Sequence, residues 1–453
     1  MKITIDMQCG IYASLSLWVI LKMRKQDLTF YVKTVRCADG ERLPTLLDGV
    51  SGVPDFDASL WVVTSLRGKN FASATIEQAL RSLVVLYLVL RIHKINLTER
   101  LRAGRLLDPA ECEMIAKAAR QKTAAVAMEV LDPENSVSRM AVSRVVSLER
   151  YRGAMTARDR GGDVEAETSG IRMGYIRAFL NWRVNREIFR STGDKKADLI
   201  ALRDLVDAEM KNKTPAGSGR SSLGDRMGID RESQALLQRV VMPTDPQNPW
   251  TGEFIRARNH LIINALLGLG VRRGELLGLR IGDFKPQVQE VLILRRPDDA
   301  SDPRLDEPNT KTRDRVLPLS ADLYRLVKAY LPLRHAVVRG AHNFLLVANT
   351  GKPLSKSGLN RIFHSLYEVP ELPKLEPHIL RHSFFENLAD DLHRAGKGDV
   401  EILGYLRQQG GWSDTSDAPC RYTKRFAQER AHEASLSMQE RLAIGAPSKG
   451  RHE

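Results

Sequence analysis

The 453 residues of the chain are too many for one compact core, so the length excludes a single small domain and predicts two or three. The hydrophobic content of 43% and the charged content of 27% are typical of a folded soluble protein. The 69 Lys and Arg residues exceed the 55 Asp and Glu residues, and the formal charge of +14 favours a polyanionic partner, either nucleic acid or an anionic membrane surface, although some mildly basic proteins bind neither.

No membrane span is predicted in the N-terminal region. Its apolar segment, residues 11–21, is too short to cross a bilayer, and Asp6 stands where a signal peptide carries only positive charge. The four cysteines lie far apart without a C-x-x-C pair. We therefore expect neither a zinc ribbon nor a disulfide framework, and a reducing cytosol fits.

The first half of the chain predicts a strand pair followed by helices. Residues 27–35 and 43–47 alternate as strands do and flank a D-G turn, which indicates a small hairpin. Helical periodicity follows over residues 73–95, 108–121 and 168–188.

Arginines are concentrated in residues 138–160, where six of them stand against two acidic residues. A solvated helix face explains part of this excess. Arginines interleaved with a tyrosine and small residues also suit contact with a DNA phosphate backbone. The candidates for DNA contact in this half of the chain are Arg144, Arg150, Arg152 and Arg177.

A polar segment separates this half from the next. Residues 211–228 are rich in Gly and Ser and offer almost nothing to bury, which predicts a flexible interdomain linker. Residues 230–241 then predict an amphipathic helix that opens a larger, mixed domain.

Two stretches of the second domain place a cation beside a turn. In residues 261–284 an apolar helix breaks at Gly268 and Gly270 and restarts at Arg272, a geometry that can hold an anionic oxygen but that also occurs at ordinary charged helix starts. Two β-rich runs, residues 291–296 and 309–320, flank a polar turn with Lys311, which on its own is an ordinary solvated turn residue.

Two further stretches concentrate proton-carrying groups. In "EPHILRHSFFENLADD" the spacing places His378, Arg381 and His382 on one helical face, as a zinc site, a phosphate clamp or a packed helix would. Zinc is disfavoured because Ile379 stands where the metalloprotease pattern has glutamate. In "LRQQGGWSDTSDAPCRYTKR" a glycine pair and Trp412 precede Tyr422.

The order R-x-x-E-L, K, H-x-x-R-H, G-G-W and Y resembles the catalytic domain of the tyrosine recombinase, or phage integrase, family over about residues 229–440. The helical region before the linker resembles that family's core-binding domain. The resemblance implies a multidomain fold, with a mostly α-helical core-binding domain and a mixed α+β catalytic domain that is mainly helical with a small antiparallel sheet.

The resemblance also implies catalytic roles. Tyr422 is the nucleophile that attacks a DNA phosphate and forms a 3′-phosphotyrosyl ester. Planar guanidinium groups suit the charge that develops on the phosphate oxygens, so Arg272 and Arg381 would clamp the phosphate. Lys311 would protonate the leaving 5′ oxygen, and His378 would act as the acid–base group near the tyrosine.

Three residues are expected to support this set. Trp412 occupies a position where family members carry His or Trp and would donate its N–H to the phosphate. Glu275 would orient Arg272, and His382 would pack or hydrogen-bond as support.

The sequence departs from the family pattern at three places. Tyr422 follows Trp412 by ten residues where the family usually has nine. The connection from Arg296 to Lys311 is longer and more acidic than a tight hairpin, and Leu269 replaces the usual threonine.

The predicted plan of the chain has five parts. They are an N-terminal extension or arm with a strand-rich hairpin (1–60), a helical core-binding DNA-binding domain (61–210), the linker (211–228), the catalytic domain (229–440) and a disordered C-terminal tail (441–453).

The leading hypothesis is a site-specific recombinase of a mobile element that cleaves and rejoins double-stranded DNA. It would act in the bacterial cytoplasm, associated with the nucleoid, without a metal or other cofactor, and without a membrane. A homotetramer on two DNA sites is expected, with the C-terminal helix docked on a neighbouring subunit or folded on its own domain, and with partner recombinases or accessory proteins as further candidates. A telomere resolvase or topoisomerase-like enzyme and an inactive DNA-binding accessory factor stay open as alternatives.

Overall fold

The computed structural model describes residues 30–131, 163–215, 228–308, 313–338, 342–422 and 424–443. The chain divides into two compact units, the first made of residues 1–37 and 42–222 and the second of residues 38–41 and 223–453, so that the main division falls between Ser222 and Leu223. This division falls within the segment that the composition predicts as a linker. Most of the described residues are helical, with two small antiparallel sheets, so the predicted fold class is confirmed.

The first unit opens with an antiparallel hairpin, as the alternating pattern predicts. Strand β1 (Phe30–Arg36) pairs with β2 (Arg42–Asp48). The helices that follow are α1 (Phe56–Trp61), continued by a π-helical segment (Val62–Arg67), α2 (Ser73–Ile92), α3 (Leu97–Arg102), α4 (Pro109–Arg120), α5 (Thr123–Leu131), α6 (Ala166–Ile188) and α7 (Gly193–Asn212).

The core of the first unit forms around α2. This helix is apolar and long enough to cross a membrane by length and composition, yet most of its side chains are buried in the unit. Phe30 of the hairpin packs edge-on against Tyr87 of α2, with ring centroids 5.2 Å apart, and Trp61 packs against Phe179 at 5.4 Å. The hairpin therefore shares one core with the helices, and packing sets no boundary at residue 60.

The second unit surrounds a three-stranded antiparallel sheet in the order β3-β4-β5. Its strands are β3 (Phe284–Lys285), β4 (Glu290–Ile293) and β5 (Arg315–Pro318). Its helices are α8 (Arg231–Val240), α9 (Glu253–Leu269), α10 (Arg273–Gly278), α11 (Ala321–Val337), α12 (Lys356–Ser365), α13 (Pro377–Arg394), α14 (Asp399–Gly410) and α15 (Lys424–Ala443), with short 3-10 turns between some of them.

Two hydrophobic clusters fill the second unit. The larger one joins α9, α11, α12 and the sheet. The smaller one lies between α13 and α14 and includes Phe385, Leu406 and Tyr422. The candidate nucleophile, Tyr422, is therefore buried in this smaller cluster.

Candidate active site

A sharp turn after α9 presents Arg272. The helix ends at Gly270, whose φ of +60° is a left-handed conformation that favours glycine. A Cβ at this position would also overlap the ring of Phe384. The predicted glycine bend is confirmed at Gly270, whereas Gly268 lies inside α9, which continues to Leu269. The bend leaves Arg272 as the residue immediately before α10.

Glu275 holds the start of α10 in place. Its Oε2 accepts a hydrogen bond from the backbone N–H of Arg272 at 2.8 Å, and its Oε1 lies 3.5 Å from Nη1 of the same arginine. The Glu275 side chain is 1% exposed. The carboxylate therefore orients Arg272 through its main chain as well as through its charge, in line with the predicted orienting role.

The same carboxylate has a stronger partner that sequence reasoning missed. Arg315, the first residue of β5, donates from Nη1 and Nη2 to the two oxygens of Glu275 at 2.9 and 2.8 Å. Its Nε donates to the carbonyl oxygen of Gln409 at 2.8 Å. The sequence signal was an arginine at the start of a predicted strand, which on its own indicates only a charged strand end.

Helix α13 carries the second candidate arginine. Pro377 at its first position fits a helix start, where the missing N–H has no partner to lose. Arg381 is completely buried and donates to the carbonyl oxygens of Gly270 and Gly410, the latter at 3.4 Å. Its position is therefore fixed by backbone acceptors from two separate turns.

The two arginines converge on one oxygen atom. Nη1 of Arg272 donates to the carbonyl oxygen of Gly410 at 3.0 Å, and Nη2 of Arg381 donates to the same atom at 3.4 Å. Burial lowers the pKa of Arg272, and burial followed by the charge of Arg272 lowers the pKa of Arg381 to about 10. Both side chains stay protonated at neutral pH. Two like charges held together in this way favour a bound anion.

One donor of this pair is still unused. Among the described residues, Nε of Arg381 is buried without a hydrogen-bond partner. Both arginines line a cleft of about 830 Å³. A buried donor without a partner is costly, so an anionic oxygen that accepted from it would bind favourably.

The cleft has a second basic wall, on α12, which sequence reasoning missed. This helix buries Leu359, Ile362 and Phe363 and turns its polar face to the cleft. The cleft-lining residues on and after this helix are Asn360, Arg361, His364 and Tyr367. The signal that could have found them was the amphipathic spacing after the serine cap at Ser355.

The glycine pair before Trp412 has a structural reason at each position. Helix α14 ends at Gly410, and Gly411 has a φ of +67°. A Cβ on Gly410 would overlap the six-membered ring of Trp412. The indole ring in turn faces both arginines, with its centroid 5.3 Å from Cζ of Arg272 and 4.8 Å from Cζ of Arg381.

Tyr422 lies beside the two arginines, but its side chain is largely buried. It follows the 3-10 turn Ala418–Arg421 and is 6% exposed. Its ring centroid lies 4.6 Å from that of His382 and 5.3 Å from that of Trp412. The phenol of Tyr422 partly opposes the burial that lowers the pKa of Arg381. Its exposed edge lines a second cleft of about 490 Å³.

The two histidines of α13 form a chain toward the tyrosine. Nε2 of His378 lies 2.9 Å from Nε2 of His382. One ring nitrogen must donate and the other accept, so the two rings cannot hold the same proton arrangement. His378 is exposed and lines the larger cleft, whereas His382 is 5% exposed and contacts Tyr422. His382 therefore stands between His378 and the tyrosine.

The position of Lys311 lies outside the described residues, but the acidic connection that leads to it is largely described. Its acids pair with arginines: Arg304 with Asp302 at 2.8 Å, and Arg280 with Asp299. Arg304 also donates to backbone oxygens of Leu277 and Leu354. These pairs compensate the acidic charges that the sequence places before the lysine.

The candidate DNA-contacting arginines of the first unit differ in what the structure describes. Arg144, Arg150 and Arg152 lie outside the described residues. Arg177 donates from Nε and Nη2 to the two oxygens of Asp207 at 3.0 and 2.7 Å. This pairing gives Arg177 a structural role between α6 and α7, and its DNA contact stays a prediction.

Metal-binding groups are absent from the described part of the chain. No three side chains of the types His, Cys, Asp and Glu come together there in a way that could hold an ion. Apart from the carboxylate of Glu376, the polar side chains that line the larger cleft are hydrogen-bond donors or cations, which suit an anionic ligand.

Known proteins of one family match this chain. The phage integrase family model matches residues 247–429. Tyrosine recombinase XerC of Agrobacterium fabrum is 31% identical over 242 residues, which cover 51% of this chain and 68% of that protein. Tyrosine recombinase XerC of Listeria monocytogenes is 25% identical over 164 residues, which cover 35% of this chain and 47% of that protein, so the chain spans about half the length of this relative.

Two solved structures are also similar. XerH site-specific recombinase bound to its difH substrate is 16% identical, with a TM-score of 0.40, and the match covers 77% of this chain and 93% of that one. The Tn1549 transposon integrase in complex with transposon right end DNA is 17% identical, with a TM-score of 0.36, and the match covers 67% of this chain and 98% of that one.

Proposed function

Since the chain belongs to the phage integrase family of tyrosine recombinases, enzymes that cleave and rejoin DNA, we propose that it is a site-specific recombinase that integrates or excises a mobile genetic element. One observation carries the proposal. Arg272 and Arg381 converge on the Gly410 carbonyl oxygen, and Trp412, whose ring faces both arginines, packs on the ring of Tyr422. The two candidate phosphate-binding arginines therefore lie beside the candidate nucleophile.

The proposed reaction uses this arrangement. A DNA phosphodiester enters the basic cleft, and its non-bridging oxygens accept hydrogen bonds from Arg272 and Arg381. The Tyr422 oxygen attacks the phosphorus, and the bond from phosphorus to the 5′ oxygen breaks. The arginines stabilise the charge that develops on the phosphate in the transition state. The product is a 3′-phosphotyrosyl ester and a free 5′ hydroxyl.

Two proton transfers complete the step. The tyrosine loses a proton, which the His378–His382 pair accepts because His382 packs on the tyrosine ring and hydrogen-bonds His378. The leaving 5′ oxygen gains a proton, which Lys311 supplies. Since the ester conserves the energy of the broken bond, attack by another 5′ hydroxyl reverses the step and rejoins the strand.

Double-stranded DNA and further copies of the chain are the proposed partners. Arg144, Arg150 and Arg152 contact the DNA backbone. Helix α15 exposes apolar side chains, with Met438 58% and Leu442 69% exposed. We assign this helix to a neighbouring subunit in a homotetramer on two DNA sites.

The test uses nicked duplexes tiled across the DNA that flanks the protein's own gene. Cleavage next to a nick releases a short strand, so the covalent product cannot religate. The proposal predicts an adduct that survives denaturant with the wild type and is absent with Tyr422→Phe. DNA binding without an adduct in the wild type would instead support the inactive accessory factor, and relaxation of supercoiled plasmid by a monomer would support the topoisomerase-like alternative.

A further inference from the structure

Arg315, the first residue of β5, joins this strand to Glu275 and to the turn that precedes Trp412. The Arg315 side chain is 7% exposed and that of Glu275 is 1% exposed, so the ion pair is almost completely shielded from water. A buried carboxylate must be compensated by a cation. Two further guanidinium groups lie near the same carboxylate, those of Arg272 at 3.5 Å and Arg381 at 3.9 Å.

This geometry sets up a competition. An uncompensated Glu275 would attract the same two guanidinium groups that the scissile phosphate needs. In a buried site this attraction is strong, because little water screens it. Because Arg315 donates hydrogen bonds to both carboxylate oxygens of Glu275, Arg272 and Arg381 stay available to an incoming anion.

Arg315 also fixes the backbone on which the clamp converges. Its Nε donates to the Gln409 carbonyl oxygen at 2.8 Å, and the backbone N–H of Arg313 donates to the Gly411 carbonyl oxygen at 3.3 Å. These two bonds bracket Gly410, whose carbonyl oxygen receives both arginines. The segment 313–315 therefore holds the acceptor that sets the spacing of the clamp.

We infer that Arg315 is a positioning residue of the recombination reaction, which compensates Glu275 and fixes the Gln409–Gly411 turn so that Arg272 and Arg381 meet the scissile phosphate. This inference rests on the proposed function for its role in DNA cleavage. Arg315 acts through these partners and does not itself touch the DNA.

The first test is a pair of variants and their combination. Arg315→Gln removes the compensating charge, and Glu275→Gln removes the charge that needs it. We expect Arg315→Gln to slow adduct formation on the nicked duplex by about a hundredfold, the cost of a small misplacement of reacting groups, with DNA affinity unchanged. The amide oxygen in Glu275→Gln can still accept the hydrogen bond from the Arg272 backbone, so the double variant should recover the part of the rate that the uncompensated charge removes. A double variant as slow as Arg315→Gln alone would overturn the inference.

A matched control exists in the first unit. Glu111 belongs to the capping box of α4, and its two carboxylate oxygens accept hydrogen bonds from Nη1 and Nη2 of Arg100 at 2.6 and 2.7 Å. This is the same chemical arrangement as that of Glu275 with Arg315. Arg100→Gln should lower the melting temperature without slowing adduct formation by the folded protein. An equal loss of rate in both variants would show that Arg315 matters only for stability, which contradicts the inference.

A substrate change separates positioning from general damage. A methylphosphonate at the scissile position carries no negative charge, so it depends less on correctly placed arginines. The deficit of Arg315→Gln should largely disappear on this substrate. A deficit of the same size on both substrates would overturn the inference.

A last readout does not depend on catalysis. Trp412 contacts both guanidinium groups, so its emission, taken as the difference between wild type and Trp412→Phe, reports inorganic phosphate bound at the clamp. Arg315→Gln should weaken phosphate binding about tenfold at constant ionic strength, and adding Glu275→Gln should restore it. If the wild type forms no adduct on any duplex, the proposed function fails, while this titration still decides the inference: an unchanged phosphate affinity overturns it.

Discussion

Trp412 packs against Gly410 so closely that the indole ring occupies the space of a Cβ on that glycine. Its ring face then lies over both cleft arginines. The carbonyl oxygen of the same glycine accepts from those arginines. Gly410 therefore positions Trp412 through its lack of a side chain, and Arg272 and Arg381 through its carbonyl oxygen.

A methyl group added at Gly410 should disturb both the position of Trp412 and that of the two arginines. We predict that Gly410→Ala displaces the indole ring, destabilises the protein by about 1–3 kcal/mol through overpacking, and slows adduct formation. Gly404→Ala on the same helix is the control, because a Cβ there meets nothing within 4 Å and alanine should stabilise the helix by about 0.5–1 kcal/mol. Thermal denaturation and adduct rates check both. Equal melting temperatures and rates for the two variants would contradict the packing argument.

Loss of a clamp arginine should affect chemistry more than binding. In the proposed reaction Arg272 stabilises charge in the transition state, so we predict that Arg272→Ala slows adduct formation by about 10²- to 10³-fold while DNA affinity changes little. Arg325→Ala serves as the control, since Arg325 is an exposed arginine of the same unit whose pair with Asp322 is 76% and 81% exposed. A comparable loss of rate in Arg325→Ala would mean that only the charge of the unit matters.

Part of the acid sensitivity of the first unit should come from Asp207. Hydrogen bonds from Arg177 lower its pKa, so its folded pKa lies below the unfolded value of about 3.9. A depressed carboxyl pKa stabilises the fold above the unfolded pKa, and the contribution disappears as pH falls through the folded pKa. We predict that Asp207→Asn lowers the melting temperature above about pH 5 and that the difference from wild type shrinks below about pH 4.

The control for this pH profile is Asp204→Asn. Asp204 pairs with its neighbour Arg203, but its side chain is 64% exposed. An exposed pair contributes little, so this variant should follow the wild type at every pH. A gap for Asp207→Asn that stays constant from pH 7 to pH 3 would contradict the assignment.

The sequence predicted the two cleft arginines and the supporting role of Glu275, but not Arg315, which pairs with that carboxylate. The order of the motifs predicted Arg272, Arg381, Trp412 and Tyr422, because reacting groups leave short patterns in the chain. The structure places these four together. The pairing of Arg315 with Glu275 left no such pattern, since residues forty positions apart meet only through the fold.

The same limit applies to elements as well as residues. Alternation and periodicity predicted the hairpin and the long helices, because those patterns are local. Packing of the hairpin on α2 could not be predicted, since it depends on Phe30 meeting Tyr87 across the first unit. The cleft-facing side of α12 was missed for a similar reason: its amphipathic spacing indicates a surface helix but not what that surface faces.

Assembly should depend on the exposed face of α15. We predict that Met438→Glu abolishes complexes that contain two DNA duplexes on native gels, because it places a charge on an exposed apolar position. Gln439→Glu adds the same charge at the adjacent position and should leave these complexes intact. Persistence of the two-duplex complex in Met438→Glu would remove α15 from the proposed tetramer contact.

Identification of the covalent linkage tests the central claim most directly. The adduct on a nicked duplex labelled at one end or the other would be digested with protease, and the DNA-linked peptide would be sequenced by mass spectrometry. The account predicts a peptide in which Tyr422 carries the 3′ phosphate of the cleaved strand. An adduct through the 5′ end, or on any residue other than Tyr422, would contradict it.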